Sequence, residues 1–440
     1  MNKKPILSAL FSICSLMGAI PPTLQNVSPT ESLASLRKYA FENRSDLQAA
    51  LEVTRQREAQ EYAILMKHFP QITLSTNVQK SQKDTLPEQQ LQLSLSQALF
   101  APATIYLPHK LAGLGTQTSK IQERLQQNNA QLELEQAFFD LQNISAKKAL
   151  KETLKMATPV ITERAQIQLH NGLISPVEFQ EQMARYASAS ASIVQIGQGN
   201  IIAQKRLELT AERTGLKEVF WISAHQIRDA INKVLGKDRK IIIEQSLVKR
   251  PDRELLDYAA RQAELQSIIN KTNYLPTASL FATMYATKRA NTALATAETL
   301  INYPWVVGVN FSWNFDSLSK MFSGRASHAE YLSQILKKKR TDLTIQQEVD
   351  ESFRLLETDL SKLEAAKQTY MHGKKAFEQK ILEFDMGLIA QGEFLAAKTS
   401  WDQVQADYVQ VTTDAGKNYA RFNFRTGNQL PLTIDTPVVA

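Results

Sequence analysis

The chain has 440 residues, of which 43% are hydrophobic and 22% charged, and its formal net charge is +7. The basic residues are scattered among acidic ones, apart from the run at residues 337–340, which we interpret as a solvated helix face rather than a nucleic-acid site. After residue 20 no apolar run reaches the ~20 residues that a membrane-spanning helix needs, so the sequence excludes a helical inner-membrane protein.

The first 19 residues have the layout of a secretory signal peptide. Two lysines precede an apolar stretch from Ile6 to Ile20, with the small residues Gly18 and Ala19 near its end, and we expect cleavage near Ala19. Cys14 is the only cysteine, and it follows an isoleucine instead of the small residue that a lipid anchor would need. Lipidation is therefore not favoured, and the mature chain would carry no thiol, which suits an oxidising compartment.

The first half of the mature chain predicts two helices, a β-hairpin and a very long helix. The helices cover residues 30–69 with a break at residues 43–46, and Pro70 then opens an alternating strand through Val78. The chain returns through a second alternating strand, residues 91–99, whose length and two-faced pattern are typical of a tilted transmembrane strand of ~9–11 residues. A helical pattern then continues from about residue 103 to 171.

The second half repeats this order. Asp252 and Pro276 follow Asp46 and Pro70 by 206 positions each. A strand opens at Pro276, a return strand covers residues 305–315, and a helical pattern continues from about residue 317 to 386. The two long patterns correspond to roughly 100 Å of helix each, a length that requires coiled-coil packing.

Heptads and turns support two helical hairpins. Apolar and aromatic residues fall seven apart on one helix at 356, 363, 370, 377 and 384, and on the next at 401, 408, 415 and 422. The long helices end at Gly172 and Gly387, since glycine favours the position after the last helical residue. Ser175 and Glu178 predict a capping box for the helix that follows the first turn.

Four strands cannot close a barrel, and open strand edges are not tolerated in lipid, so the sequence predicts an obligate homo-oligomer. In its order of motifs the chain resembles the TolC-like outer-membrane efflux protein family. The resemblance rests on the helix start at residues 43–47, the strand openings at Pro70 and Pro276, the segments 99–100 and 313–315 that lead into the long helices, and the paired Gly-Leu-Ile turns.

The resemblance implies a mainly α fold with a membrane β-barrel. Duplicated helix–β-hairpin–long helix–turn–helix halves would form a trimer with a 12-stranded β-barrel, continued by a 12-helix coiled-coil α-barrel. We divide the chain into a signal peptide (1–19), a first repeat (20–213, β-hairpin about 70–100, helical hairpin about 103–213), an equatorial connector (214–249), a second repeat (250–425, β-hairpin about 276–315, helical hairpin about 317–425) and a C-terminal tail (426–440).

The resemblance also places a constriction at the helical tips. Acidic residues line the periplasmic entrance of such proteins, and Glu393 and Glu178 occupy matching positions. Phe384 and Ile389 stand where some relatives carry tyrosine and arginine, so closure here would depend on apolar packing. Alternatively, Glu393 is only a helix-start carboxylate favoured by the helix dipole.

The two turns are the expected contact with a periplasmic adaptor, because apolar side chains at an unpartnered tip would otherwise be exposed. Alternatively, these side chains pack within their own turns. The candidate adaptor-contacting residues are Gly172, Leu173, Ile174 and Ser175 in the first turn and Gly387, Leu388 and Ala390 in the second.

The sequence indicates transport, not catalysis. The six histidines show no metal-ligand spacing, and no phosphate loop or nucleophile motif is present, so we expect no enzyme, cofactor or metal site. We expect an outer-membrane exit duct that works with a periplasmic adaptor and an inner-membrane pump of RND or ABC type, its helical barrel in the periplasm. Multidrug-type efflux is favoured; the alternatives are a type I protein-secretion channel and a non-conducting coiled-coil envelope tether.

Overall fold

The computed structural model describes residues 30–79, 88–172, 174–216, 218–219, 221–273, 275–289, 304–313, 317–386, 388–389 and 391–427. The predicted signal peptide and almost all of the predicted C-terminal tail lie outside these residues. Contacts divide the chain into two compact units, Met1–Glu42 with Ala137–Ile222, and Asn43–Gln136 with Ser223–Ala440.

The described elements follow the predicted order. They are β1 (Thr30–Glu31), α1 (Leu33–Asn43), α2 (Ser45–Leu65), β2 (Gln71–Gln79), β3 (Glu88–Phe100), α3 (Leu107–His170), α4 (Pro176–Ala211), β4 (Glu218–Val219), α5 (Ala224–Leu235), α6 (Arg239–Lys249), α7 (Pro251–Thr272), β5 (Thr277–Arg289), β6 (Trp305–Ser312), α8 (Ser317–Asp385) and α9 (Gln391–Thr426). A 3-10 turn, Met66–His68, follows α2, and a π-helical turn, Pro102–Tyr106, precedes α3.

Helix, β-hairpin, long helix, turn and helix therefore occur twice, and the predicted fold class is confirmed for the single chain. Three predicted details differ. The return strand of the second hairpin ends at Ser312 rather than at residue 315, and β5 continues to Arg289, whereas the sequence predicts a loop from roughly residue 288 to 304. A two-stranded parallel sheet, β1 with β4, adds to the four predicted strands. Two-residue strands carry too little alternation to be found from a sequence pattern.

The four longer strands form one antiparallel sheet in the order β2-β3-β5-β6. The two hairpins lie side by side, because β3 pairs with β5 along most of its length, with Leu93 opposite Met284. The register places Leu74 opposite Leu93 in the first hairpin and Leu280 opposite Val309 in the second. Most apolar side chains of the sheet thus share one face, as the alternating patterns predict, whereas Phe281 and Val306 lie on the other.

The first unit is built around the part of α3 that follows Ala137, together with α1 and α4. Phe138 and Phe139 are fully buried there, as is Leu207 of α4. Polar contacts also join the helices: the Ser145 hydroxyl donates to the side-chain oxygen of Asn200 at 2.9 Å. This combination of apolar and polar contacts holds α3 against α4 in this unit.

The second unit contains a duplicated arginine cluster that fixes two helix starts. Arg44, just before α2, donates to the carboxylate two residues on (2.9 and 2.7 Å) and reaches Glu133 of α3 at 3.1 Å. Arg250, just before α7, donates to the carboxylate two residues on (3.0 and 2.6 Å) and reaches Glu348 of α8 at 2.6 Å. Both arginines are 8% exposed. The planar guanidinium suits this bidentate role, which a lysine could not fill.

The contact between α8 and α9 is a seam of aromatic rings. Its members are Tyr370, Phe377, Phe384, Phe394, Trp401 and Tyr408. All of them except Phe394 are predicted heptad positions. The ring centroids of Tyr370 and Tyr408 lie 5.0 Å apart, and those of Phe377 and Trp401 lie 6.2 Å apart in a stacked arrangement. Farther from the turn, the predicted heptad positions Leu356 of α8 and Phe422 of α9 are both fully buried. The heptad pattern therefore identified the packed face of both helices.

Candidate functional site

The first turn, residues 171–175, reverses the chain between α3 and α4. Gly172 has a φ of 67°, a left-handed conformation that glycine adopts without the strain of a Cβ atom. The Ser175 hydroxyl accepts a hydrogen bond from the Glu178 amide at 3.2 Å, and the Glu178 carboxylate accepts one from the Ser175 amide at 2.9 Å. The predicted capping box is confirmed, so the Glu178 carboxylate serves the start of α4.

The apolar side chains at the first turn differ in their exposure to solvent. Ile174 is half-buried, Gly172 and Ser175 are exposed, and Leu173 lies outside the described residues. Val177, in the first turn of α4, is 76% exposed. The pattern search did not select Val177, although its position beside the cap could have suggested it.

The second turn, residues 386–390, reverses the chain between α8 and α9. The Leu388 amide donates to the Glu383 carbonyl oxygen at 2.8 Å. Leu388 is 69% exposed, whereas Ile389 is half-buried. Gly387 and Ala390 lie outside the described residues. Leu382 and Met386 are also exposed and extend the apolar surface beside Leu388; a search confined to the turn itself misses them because they belong to the last turn of α8 and the residue that follows it.

Glu393 forms an ion pair that the sequence analysis did not predict. Its carboxylate lies 2.8 Å from the ammonium group of Lys380, and Lys380 also lies 2.8 Å from Glu383. Hydrogen bonds to Glu383 and Glu393 raise the pKa of Lys380, and the bond to Lys380 lowers the pKa of Glu383. Lys380 lies five residues before the end of α8, and Glu393 lies two residues after the start of α9. Opposite charges near the ends of two helices joined by a short turn are the signal that could have found the pair.

Phe384 packs against α9. Its ring is stacked on that of Phe394, with centroids 4.5 Å apart and planes 20° from parallel. The second turn is therefore joined to the aromatic seam by apolar contact and to α9 by the Lys380–Glu393 pair. A role of Glu393, Glu178, Phe384 and Ile389 in a constriction stays a prediction.

The sheet offers an apolar surface of a kind that soluble proteins rarely expose. On one face, Ile72 and Leu74 of β2 and Val309 and Phe311 of β6 are exposed, Phe311 at 75%. The opposite face carries polar residues of all four strands, such as Ser94. A contiguous apolar face of this size indicates contact with lipid or with protein.

The structure adds little support for other kinds of site. No three histidine, cysteine or acidic side chains come together as a metal site in the part of the chain that is described. Among the same residues, no helix is both long and apolar enough to cross a membrane. In the basic run at residues 337–340, Lys338 pairs with Asp257 of α7, so this side chain serves helix packing.

Residues 242–428 match the model of the outer membrane efflux protein family. The resemblance predicted from the sequence is confirmed. The matched segment begins in α6 and covers the whole second repeat, including the second turn with Glu393 and Leu388. Efflux is a transport function, so the family is one of transport proteins and not of enzymes. No curated protein sequence matches the chain.

Solved outer-membrane channels have a similar fold over most of the chain. The CmeC outer membrane channel of Campylobacter jejuni aligns with a TM-score of 0.74 at 14% identity, over 90% of this chain and 85% of that one. The outer membrane protein VceC of Vibrio cholerae aligns with a TM-score of 0.71 at 13% identity, over 90% and 96%. The MtrE outer membrane channel of Neisseria gonorrhoeae aligns with a TM-score of 0.69 at 14% identity, over 93% and 95%. The shared fold thus includes the first repeat, which the family model does not cover.

Proposed function

We propose that the chain is one protomer of an outer-membrane exit duct in a tripartite export system. Three copies would share a 12-stranded β-barrel in the outer membrane and a 12-helix α-barrel in the periplasm. A periplasmic adaptor and an inner-membrane pump, of RND or ABC type, would deliver the substrates. Multidrug-type efflux is the favoured role, and the match to the outer membrane efflux protein family supports an export function.

The four-stranded sheet is the observation that carries this proposal. In the described part of the chain β2 and β6 are its outer strands, and one face is apolar and exposed. Lipid would cover the apolar face, but an outer strand in lipid needs a partner for its backbone groups. Pairing β2 of one copy with β6 of the next provides that partner, and three copies of four strands give twelve.

Cysteine cross-linking tests this pairing. The only native cysteine lies in the predicted signal peptide, so a cysteine at Asn77 of β2 combined with single cysteines along β6 reports contacts between copies. We expect cross-linked species up to a trimer when the β6 cysteine is at the position that pairs with Asn77 of the next copy. Cysteines at exposed positions of α4, combined with the cysteine at Asn77, should give no cross-linked species. A folded protein that stays monomeric in detergent, with no cross-linked species, would contradict the proposal.

The second turn is the proposed constriction, and two substitutions there should change the cation preference of the channel in opposite directions. Near a common axis, Glu393 would favour cations, and Lys380 at 2.8 Å would offset that charge. We expect Glu393→Gln to weaken the cation preference of the purified channel in planar bilayers and Lys380→Gln to strengthen it. Equal currents and equal selectivity in both variants would place this pair away from the ion path.

The exposed apolar residues at the second turn are the proposed contact with the adaptor. Leu388→Asp should abolish export and adaptor co-purification while leaving bilayer conductance intact. The matched control is Met371→Asp, which places the same charge at an exposed apolar position of α8, 52% exposed and away from the turn. Normal export by the Leu388 variant would show that the adaptor binds elsewhere.

A further inference from the structure

Two histidines meet where the first β-hairpin joins its helices. His68 ends the 3-10 turn after α2, and His109 lies in the first turn of α3. Their ring centroids are 5.9 Å apart and their planes nearly perpendicular, at 80°. No spacing in the sequence reveals this pair, because an entire hairpin separates the two residues.

The ring of His68 is oriented by its own backbone. Its Nδ1 atom lies 3.1 Å from the carbonyl oxygen of Leu65. A neutral ring that donates its Nδ1 proton to this carbonyl keeps a lone pair on Nε2, on an exposed side chain. A backbone hydrogen bond of this kind is the usual support of a metal-ligating histidine.

Gln97 of β3 contacts the backbone of His68. Its amide nitrogen donates to the carbonyl oxygens of His68 at 2.7 Å and Ala98 at 3.1 Å. These two bonds use both amide hydrogens and fix the orientation of the group. The Oε1 atom of Gln97 is buried and has no hydrogen-bond partner among the described residues, and the same holds for Nδ1 of His109.

Two imidazoles and an amide oxygen are ligands for a particular class of ion. Neutral imidazole suits zinc, copper and nickel, whereas calcium and magnesium prefer carboxylates. Two nitrogens bound to one zinc ion lie at most about 4.2 Å apart. A centroid distance of 5.9 Å allows one nitrogen of each ring to come within that separation, because each nitrogen stands away from the centroid of its own ring. The neighbouring cation, Lys110, lies over the Tyr106 ring at 4.7 Å and so has an aromatic partner of its own.

We propose that His68, His109 and the Oε1 atom of Gln97 bind one divalent transition-metal ion of the zinc class. The ion would satisfy the buried Gln97 oxygen, and solvent would complete its coordination beside the exposed His68. It would also join the segment after α2, which enters the first β-hairpin, to the last residues of β3 and the start of α3, through which the chain leaves it. The site is separate from the proposed constriction and does not depend on the proposed export role.

Calorimetric titration of the EDTA-treated full-length protein with Zn²⁺ tests the site. We expect one Zn²⁺ per chain, with saturable binding that His68→Gln and His109→Gln each abolish. Gln97→Leu should weaken binding by roughly tenfold or more. The matched control, His372→Gln, changes an exposed histidine of α8 and should leave the stoichiometry and affinity unchanged.

Circular dichroism of each variant separates loss of the site from loss of the fold. His68 is exposed, so His68→Gln keeps the fold and remains decisive if the His109 variant unfolds. Co²⁺ should give a visible absorption band in the wild-type protein that the His68 variant lacks. Absence of saturable Zn²⁺ binding, or equal binding by the wild type and the His68 variant, would overturn the proposal; the buried atoms would then be bridged by water.

Discussion

The packing of the aromatic seam can be tested at a single glycine. Gly373 lies in α8, where an added Cβ atom would stand 3.2 Å from Cγ1 of Val404 and 3.3 Å from two ring carbons of Trp401. Replacing a mid-helix glycine with alanine stabilises the helix by about 1 kcal/mol. Inserting a methyl group into a packed contact costs about 1–3 kcal/mol. We therefore expect Gly373→Ala to be neutral or destabilising.

Gly324 supplies the matched control on the same helix. No described atom lies within 4 Å of a Cβ atom placed there, so Gly324→Ala gains the helix propensity without the clash. Both alanine variants gain the same helix propensity, and only Gly373→Ala also has the cost of inserting a methyl group into a packed contact. Their local stabilities should therefore differ by about 1–3 kcal/mol.

Amide hydrogen exchange measures this difference locally. Each 1.4 kcal/mol corresponds to about tenfold in the exchange rate of amides that open locally. In the Gly324→Ala variant, amides of peptides around residue 324 should exchange more slowly than in the wild type. In the Gly373→Ala variant, amides of peptides around residue 373 should exchange at the wild-type rate or faster. If both variants slow exchange equally, the Trp401 ring yields without cost and the seam is not tightly packed at Gly373.

Three further changes test the caps and the duplicated arginine cluster. Ser175→Ala removes the cap of α4 and should cost about 0.5–2 kcal/mol of local stability by hydrogen exchange, an effect that Ser175→Asp should largely avoid. Arg250→Met leaves two partly exposed carboxylates without their shared partner and should destabilise the protein by about 2–4 kcal/mol in urea unfolding, less than a fully buried pair. If the two clusters are equivalent, Arg44→Met should lower the free energy of unfolding by a similar amount. A loss below about 0.5 kcal/mol in either variant would show that its arginine does not fix the helix start.

The fold was largely predictable from the sequence because its signals are long. Alternation over nine or more residues and heptads over several turns add up, and the duplication supplied each signal twice. The short elements carried no such signal. The strands β1 and β4 exist only because the two segments pair with each other, and a two-residue segment has no pattern of its own.

The candidate site was predictable only in part. The capping box of Ser175 and Glu178 is local and was found from residue types at a fixed spacing. The Lys380–Glu393 pair and the His68–His109 pair each join residues on different elements, so their partners depend on the fold. Pattern analysis could place Glu393 at a helix start, but it could not supply the cation beside it.

The polar position within the α8–α9 seam gives a prediction about pH. Asp359 of α8 is 5% exposed, and its carboxylate accepts a hydrogen bond from Asn418 of α9 at 2.8 Å. Burial of the carboxylate raises the pKa of Asp359 above 3.8, and the negative charge of Asp414 raises it further. The hydrogen bond from Asn418 and the charge of Lys362 lower this pKa by a smaller amount.

A raised pKa means that the folded protein binds this proton more tightly than the unfolded chain. The contribution of Asp359 to stability is therefore full below pH 3.8 and is lost as the pH rises through the folded pKa. Asp359→Asn keeps an acceptor for Asn418 and removes the buried charge, so it should slow hydrogen exchange of the seam at pH 7.5. The advantage over wild type should shrink as the pH falls towards 3.8. Asp407→Asn, at an exposed position of α9, is the control and should change local stability by less than about 0.5 kcal/mol. A faster-exchanging Asp359→Asn variant at pH 7.5 would show that the charge itself holds the two helices together, contrary to the desolvation argument.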